Sequence, residues 1–201
     1  MPRGPGDRPV ILCHGYQMWG LCLGILALWL RSMGRTVITM PDFGPGSAGI
    51  RHFAKRLRDH IREVLRETGA DAVDLVGHSM GGLIARACLT EARRSGDSSL
   101  RVAHLVTLGT PHKGTCFWVF TRGECGLDMK PGSSFLKWLG EDPTEENATI
   151  IWSDLDDIVH EESAKGWNAS TVRKIHVSGL GHLALSMLPS AAREVFEAMN
   201  R

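Results

Sequence analysis

Gly77-His78-Ser79-Met80-Gly81 places a serine between two glycines, each two positions away, with Gly82 following as a third small residue. An apolar run, Asp71 to Gly77, precedes it with the look of a buried strand, and Met80 to Arg93 follows with helical periodicity. In that context the pattern is a strand–turn–helix elbow rather than a chance match. Such a turn strains the serine backbone and leaves no room for side chains two positions to either side, which is why glycines stand there. It also lifts the hydroxyl above the sheet edge at a helix N-terminus, where the helix dipole favours a developing oxyanion. The chemistry this permits is nucleophilic acyl transfer, with Ser79 as the nucleophile.

A serine nucleophile needs a base, an acid to orient it, and two N–H donors for the oxyanion. Met80, the residue after the serine, supplies one donor. The second is expected from Tyr16, in the His14-Gly15-Tyr16 loop that follows the apolar run Val10–Cys13. Gly15 lets that loop turn close to the serine. His14 reads as a residue that shapes the loop, because a base placed before the serine has the wrong chain order for this elbow.

The expected order is serine, acid, histidine, which leaves His160, His176 and His182 of nine histidines. His176 lies inside the last strand and should point into a layer, and His160 follows too soon after the acid candidates. His182 sits in Gly179-Leu-Gly-His182, just past the carboxyl end of the last strand, where open α/β sheets place their chemistry. His182 is the expected base. The acid is one of Asp154, Asp156 and Asp157, all in Ser153–Val159.

These residues need a scaffold, and the periodicity provides one. Six strands are predicted at Pro9–Cys13, Thr36–Met40, Asp71–Gly77, Arg101–Leu108, Thr149–Trp152 and Val172–Val177. Helices are predicted at Trp19–Met33, Ile50–Thr68, Met80–Arg93 and Ala184–Met199. The alternation implies an α/β class, with about six mostly parallel strands covered by helices on both faces. The 201 residues suit a single domain, 1–201, interrupted by an irregular insertion at about 110–146 near the site. The insertion's Phe117-Trp-Val-Phe120 and its Phe135, Trp138 and Leu139 form either a flap over an acyl pocket or a small satellite core. His14, Gly15, His78, Phe117 and Trp118 are the candidate pocket residues.

Composition removes several other classes. A net charge of +1 offers no field for steering nucleic acid. The arginines of Ile50–Thr68 are interrupted by Asp59, Glu63 and Glu67 and read as a solvated face. The five cysteines lack paired metal-ligand spacing, so no metal is expected, although Cys116 and Cys125 could pair in an oxidising compartment. Leu21–Leu30 is about half the ~20 residues that span a bilayer, so no membrane span is expected. Nothing in the chain reads as a signal peptide, which is compatible with a cytoplasmic protein or a secreted form lacking its signal.

With these residues in place, the chain resembles the bacterial triacylglycerol lipases and esterases of the α/β-hydrolase superfamily. The resemblance runs from His14-Gly15 to Gly181-His182. It is carried by Gly-His-Ser-Met-Gly-Gly at 77–82, Thr107-Leu-Gly-Thr-Pro-His-Lys-Gly114 and Gly-Leu-Gly-His at 179–182. Ser153-x-x-Asp156-x-x-Val159 matches the family's acid motif, and this resemblance singles out Asp156. It implies a minimal α/β-hydrolase fold of six strands without a separate lid domain, a Ser79-Asp156-His182 triad and no cofactor.

The sequence departs from that pattern in two places. Larger lipases hold calcium through aspartates near the histidine, whereas Leu-Ala-Leu-Ser-Met-Leu follows His182 here, so no calcium is expected. Tyr16, Gln17, Met18 and Trp19 also stand where small glycines are common, which bears on the width of the acyl pocket. An insertion of under forty residues is too short for a large mobile lid, so short or medium acyl esters are the expected substrates. An acyltransferase or thioesterase would use the same triad. A non-catalytic binding module would have no need of one.

Overall fold

The structure is a computed structural model and describes residues 8–17, 21–44, 47–140, 147–169 and 171–201. The expected helix start at Trp19, the loop residue Met18, positions 45–46 of the second loop and the end of the insertion at 141–146 lie outside the described residues.

Six strands form one sheet: β1 (Val10–Cys13), β2 (Ile38–Thr39), β3 (Val73–His78), β4 (Val102–Leu108), β5 (Ala148–Trp152) and β6 (Arg173–His176). Their spatial order is β2-β1-β3-β4-β5-β6, and every neighbouring pair is parallel. Alternation along the inner strands divides their side chains between two cores. Ile11, Cys13, Val73 and Leu75 face α2 (Ile50–Thr68) and α3 (Met80–Ser95). Val10, Leu12 and Val76 face α1 (Leu21–Ser32) and α7 (Pro189–Ala198). Because both faces are covered, β1 and β3 are buried throughout, as parallel strands require.

The long amphipathic helix forms where its periodicity placed it. Ile50, Phe53, Ala54, Leu57, Ile61 and Val64 are buried, and Gly69 ends the helix in the left-handed conformation with its N–H on the Leu65 carbonyl. Two expected elements are shorter. The second strand pairs only at Ile38–Thr39, since Pro41 lacks the N–H to extend an edge ladder. The C-terminal helix is broken into a 3₁₀ turn at Ala184–Ser186 and α7. Pro189 cannot sit inside a helix, so it opens one, with Leu188 extended before it.

The insertion is more ordered than its sequence suggested. It contains a 3₁₀ turn at Cys116–Phe120, then α4 (Glu124–Asp128) and α5 (Ser134–Gly140). Glu124 and Asp128 accept the backbone N–H groups of Gly49 and Ile50, so α4 caps the N-terminus of α2. Cys125, Met129, Phe135, Leu136 and Leu139 join the core on the α2/α3 face. The satellite-core reading therefore holds for the second half, while Phe117, Val119 and Phe120 remain exposed. No disulfide joins Cys116, which is exposed, to Cys125, which is buried.

At the amino ends of the strands, Asp74 is fully buried and surrounded by two arginines and a histidine. Arg35 Nη1 lies 2.9 Å from Oδ2, Arg8 Nε 3.1 Å from Oδ1 and His104 Nδ1 2.9 Å from Oδ1. Arg8 and Arg35 also donate to the Met199 carbonyl. This cluster ties β3 and β4 to the end of the C-terminal helix, on the side of the sheet opposite the serine.

Candidate active site

Ser79 occupies the turn between β3 and α3 with φ 55° and ψ −127°, a conformation a non-glycine residue rarely holds. Its neighbours fix it there. The Ser79 N–H bonds to the Leu108 carbonyl, and Thr110 Oγ1 donates to the Ser79 carbonyl at 3.0 Å. Gly81 packs so tightly on the end of β1 that an added Cβ would run into the Cys13 carbonyl, and a Cβ on Gly82 would strike Thr110. The glycines thus bring the elbow against the loop carrying Tyr16, which lines the same cavity as Ser79. Met80 opens α3, where backbone N–H groups lack helical partners.

The segments that follow β5 and β6 clasp each other. His182 Nδ1 lies 2.8 and 3.0 Å from the two carboxylate oxygens of Asp156, both groups being buried. Oδ1 of Asp156 also accepts the N–H groups of Ile158 and Val159, at 3.0 and 2.8 Å. A carboxylate so loaded accepts rather than donates, so the Nδ1 proton belongs to the imidazole and Nε2 is left as its basic atom. Asp157 Oδ1 accepts the His182 N–H, and Ser153 Oγ accepts that of Leu180. Asp154 lies on the outer side of this clasp, accepting from Gly179 N–H and His176 Nε2. Those hydrogen bonds hold the Asp154 carboxyl down to about 2, and the bond from His182 N–H lowers Asp157 as well.

Ser79 and His182 open onto a cavity of about 230 Å³, with Tyr16, Phe117, Met129 and Leu183 among its walls. No hydrogen bond joins the serine hydroxyl to the imidazole among the described residues, a looseness common in unliganded sites. A larger depression of about 590 Å³, between the end of α3 and the start of β4, lies away from these groups and includes neither Ser79 nor His182 in its lining.

Of the three aspartates left open by residue spacing, Asp156 is the one that meets the His182 ring. Among the candidate pocket residues, Phe117 lines the cavity and four do not. His14 is buried behind the loop, with Nδ1–H on the Gly15 carbonyl and Nε2 accepting from Phe43 N–H. It therefore braces the loop, and Gly15 lies with it outside the cavity wall. His78 is fully buried beneath His182. Trp118 turns toward the α2/α3 core, with Lys130 over its ring. His176 also differs from expectation: it is exposed, because β6 is an edge strand, and it stacks on Trp152 with ring centroids 4.2 Å apart.

Two residues of the Thr107–Gly114 motif have a part in the site that the sequence did not assign them. Gly109 has φ +52°, and a Cβ there would lie 2.8 Å from Asp156 Oδ2 and 3.2 Å from His182 Nδ1. Thr110 braces the serine carbonyl as described. A glycine directly after a buried strand, followed by Thr-Pro, was the available signal. Nearby His112 is buried between Arg86 and Thr107, and burial with the Arg86 charge holds it neutral. It anchors the segment leading away from Thr110.

Residues 50–119 match the family described as PGAP1-like alpha/beta domain. A triacylglycerol lipase of Pseudarthrobacter phenanthrenivorans is 32% identical over 155 residues, covering 71% of this chain and 41% of the relative. A triacylglycerol lipase of Burkholderia plantarii is also 32% identical over 155 residues, covering 71% and 36%. The chain thus spans less than half the length of the curated relatives it matches. Among solved structures, the mature form of Bacillus licheniformis lipase BlEst2 superposes with a TM-score of 0.79 at 16% identity, covering 100% of this chain and 94% of that one. At that identity the likeness speaks for the fold alone.

Proposed function

We propose, for a chain that belongs to the lipase and esterase family of the α/β-hydrolase superfamily, that it hydrolyses carboxylic esters through Ser79, His182 and Asp156. The observation that carries this reading is one arrangement. A serine held at a strained elbow shares a cavity with a histidine whose Nδ1 is committed to a buried carboxylate. In the proposed reaction His182 Nε2 takes the Ser79 proton as Oγ attacks the ester carbonyl, and Asp156 stabilises the imidazolium. The tetrahedral oxyanion is bound by the N–H groups of Met80 and Tyr16. Collapse releases the alcohol, which receives its proton from His182, and leaves an acyl group on Ser79. Water activated by His182 then releases the acid.

The cavity volume of about 230 Å³ is below the ~300–1,000 Å³ usual for small-molecule sites, which favours short to medium acyl chains. Exposed Phe117 and Leu183 at its mouth suit a lipid or small-molecule ester. The test is hydrolysis of a p-nitrophenyl ester series from acetate to palmitate, by wild type and Ser79→Ala. Turnover that peaks at short or medium chains and falls by up to about 10⁶-fold in Ser79→Ala is expected. A fully active Ser79→Ala, or activity confined to the longest esters, would overturn the reading.

A further inference from the structure

His78 sits directly before the nucleophile, yet it is fully buried and cannot touch substrate. Its Nε2 lies 2.9 Å from the backbone carbonyl of His182, 104 residues away in the chain. A carbonyl only accepts, so Nε2 carries a proton and donates it. The two imidazoles lie against each other with centroids 4.7 Å apart. His182 is thus held at three points: its N–H by Asp157, its Nδ1 by Asp156 and its carbonyl by His78. The first two come from the β5 segment. The third is the one that links the base to the elbow itself.

We propose that His78 is a positioning residue, a neutral imidazole whose Nε2–H fixes His182 relative to Ser79. This rests on the reading of Ser79, Asp156 and His182 as the catalytic groups. A hydrogen bond from the elbow sets the distance between nucleophile and base directly, without relying on the edge strand that carries His182. The device works only if His78 stays uncharged, because a cation here would oppose the imidazolium that forms on His182. Burial does this first, and the His182 charge adds to it, so His78 is pushed down to about 3. The hydrogen bond to the His182 carbonyl and the Asp156 charge act in the opposite sense without reversing the result.

The experiment compares His78→Leu, His78→Asn and His78→Gln with wild type on a soluble p-nitrophenyl ester between pH 5 and 9. Leucine removes the donor, asparagine holds its amide too short, and glutamine carries an N–H to a similar reach. Misplacing the base by about 1 Å predicts a loss in kcat approaching 10²-fold for Leu and Asn, with KM nearly unchanged. Their acid limb in kcat/KM should move to lower pH, as the imidazolium loses alignment with Asp156, and Gln should restore most of both. Asn keeps the test open if Leu does not fold. Wild-type kcat and an unmoved acid limb in Leu or Asn, with only thermal stability reduced, would overturn the proposal. So would equal losses in Gln and Leu. If the wild type hydrolyses no ester, the hydrolase reading fails on its own. The His182 titration followed by ¹⁵N NMR then decides the positioning claim, and a curve unchanged in Asn would refute it.

Discussion

Replacing Asp156 by asparagine exchanges one carboxylate oxygen for an NH₂ group and should nearly abolish turnover. In the native site Oδ1 takes the Ile158 and Val159 N–H groups, so the new amide must keep its oxygen there. Its NH₂ then falls where Oδ2 was, 2.8 Å from His182 Nδ1. Flipping the amide to avoid this would face two N–H groups with a third donor, at about 1–3 kcal/mol for each orphaned group. The imidazole must instead accept at Nδ1, which moves its proton to Nε2, the atom that has to take the Ser79 proton. The expected loss in kcat is about 10⁴-fold, or ~5.5 kcal/mol of transition-state stabilisation, with the fold intact. Asp154→Asn is the matched control. It keeps an oxygen for Gly179 N–H and His176, and should change kcat by no more than about threefold. Both variants would be assayed on one short-chain ester, with circular dichroism and melting curves beside them. Equal losses in the two, or a loss under tenfold in Asp156→Asn, would refute the assignment of the acid.

Three further outcomes are expected. Gly109→Ala adds a methyl against Asp156 and His182 at a positive φ, and should lower kcat by about 10- to 100-fold, measured on the folded protein; activity within twofold of wild type would contradict the close packing described. Asp74→Ala removes the buried carboxylate that Arg35 pairs with and should cost about 3–5 kcal/mol by urea denaturation, whereas under ~1 kcal/mol would mean that the cluster opens to water. Asp154 is held below its ordinary value, so its stabilising effect is full above about pH 4 and is lost as pH falls towards about 2. The protection factor of the Gly179 amide, its exchange rate corrected for the intrinsic rate at each pH, should therefore fall across that window in wild type and change less in Asp154→Asn; identical profiles would count against the clasp.

Much of this site was readable because it is local. The elbow is written in five consecutive residues whose glycines answer to contacts within a few ångströms, and the strand before it and helix after it are strongly periodic. His182 could be placed from chain order together with its position just past the last strand. Choosing among three aspartates was different in kind. Asp154, Asp156 and Asp157 all end up bonded to the histidine segment, each to a different atom. Only the register between β5 and β6 decides which one meets the ring. The pocket was read least well: His14, Gly15, His78 and Trp118 are near the site in sequence but lie behind its wall, and proximity along the chain says nothing of which way a side chain turns. Similarly, the short helices of the insertion are specified by what they dock on. Glu124 and Asp128 act as caps for a helix more than fifty residues earlier, and no local pattern announces that.

The sheet order has a consequence for how the protein ages in use. The nucleophile rides on β3, flanked by β1 and β4, but the proposed base hangs from β6, which is four residues long, largely exposed and paired on one side only. Such an edge opens at lower free energy than the interior of the same sheet. On warming, the catalytic machinery would come apart while the cores behind β1 and β3 are still whole. Thermal inactivation would then run ahead of melting, and cooling in time would rearm the molecule. Longer shelf life should come from staking down one outlying ribbon rather than from denser packing at the centre.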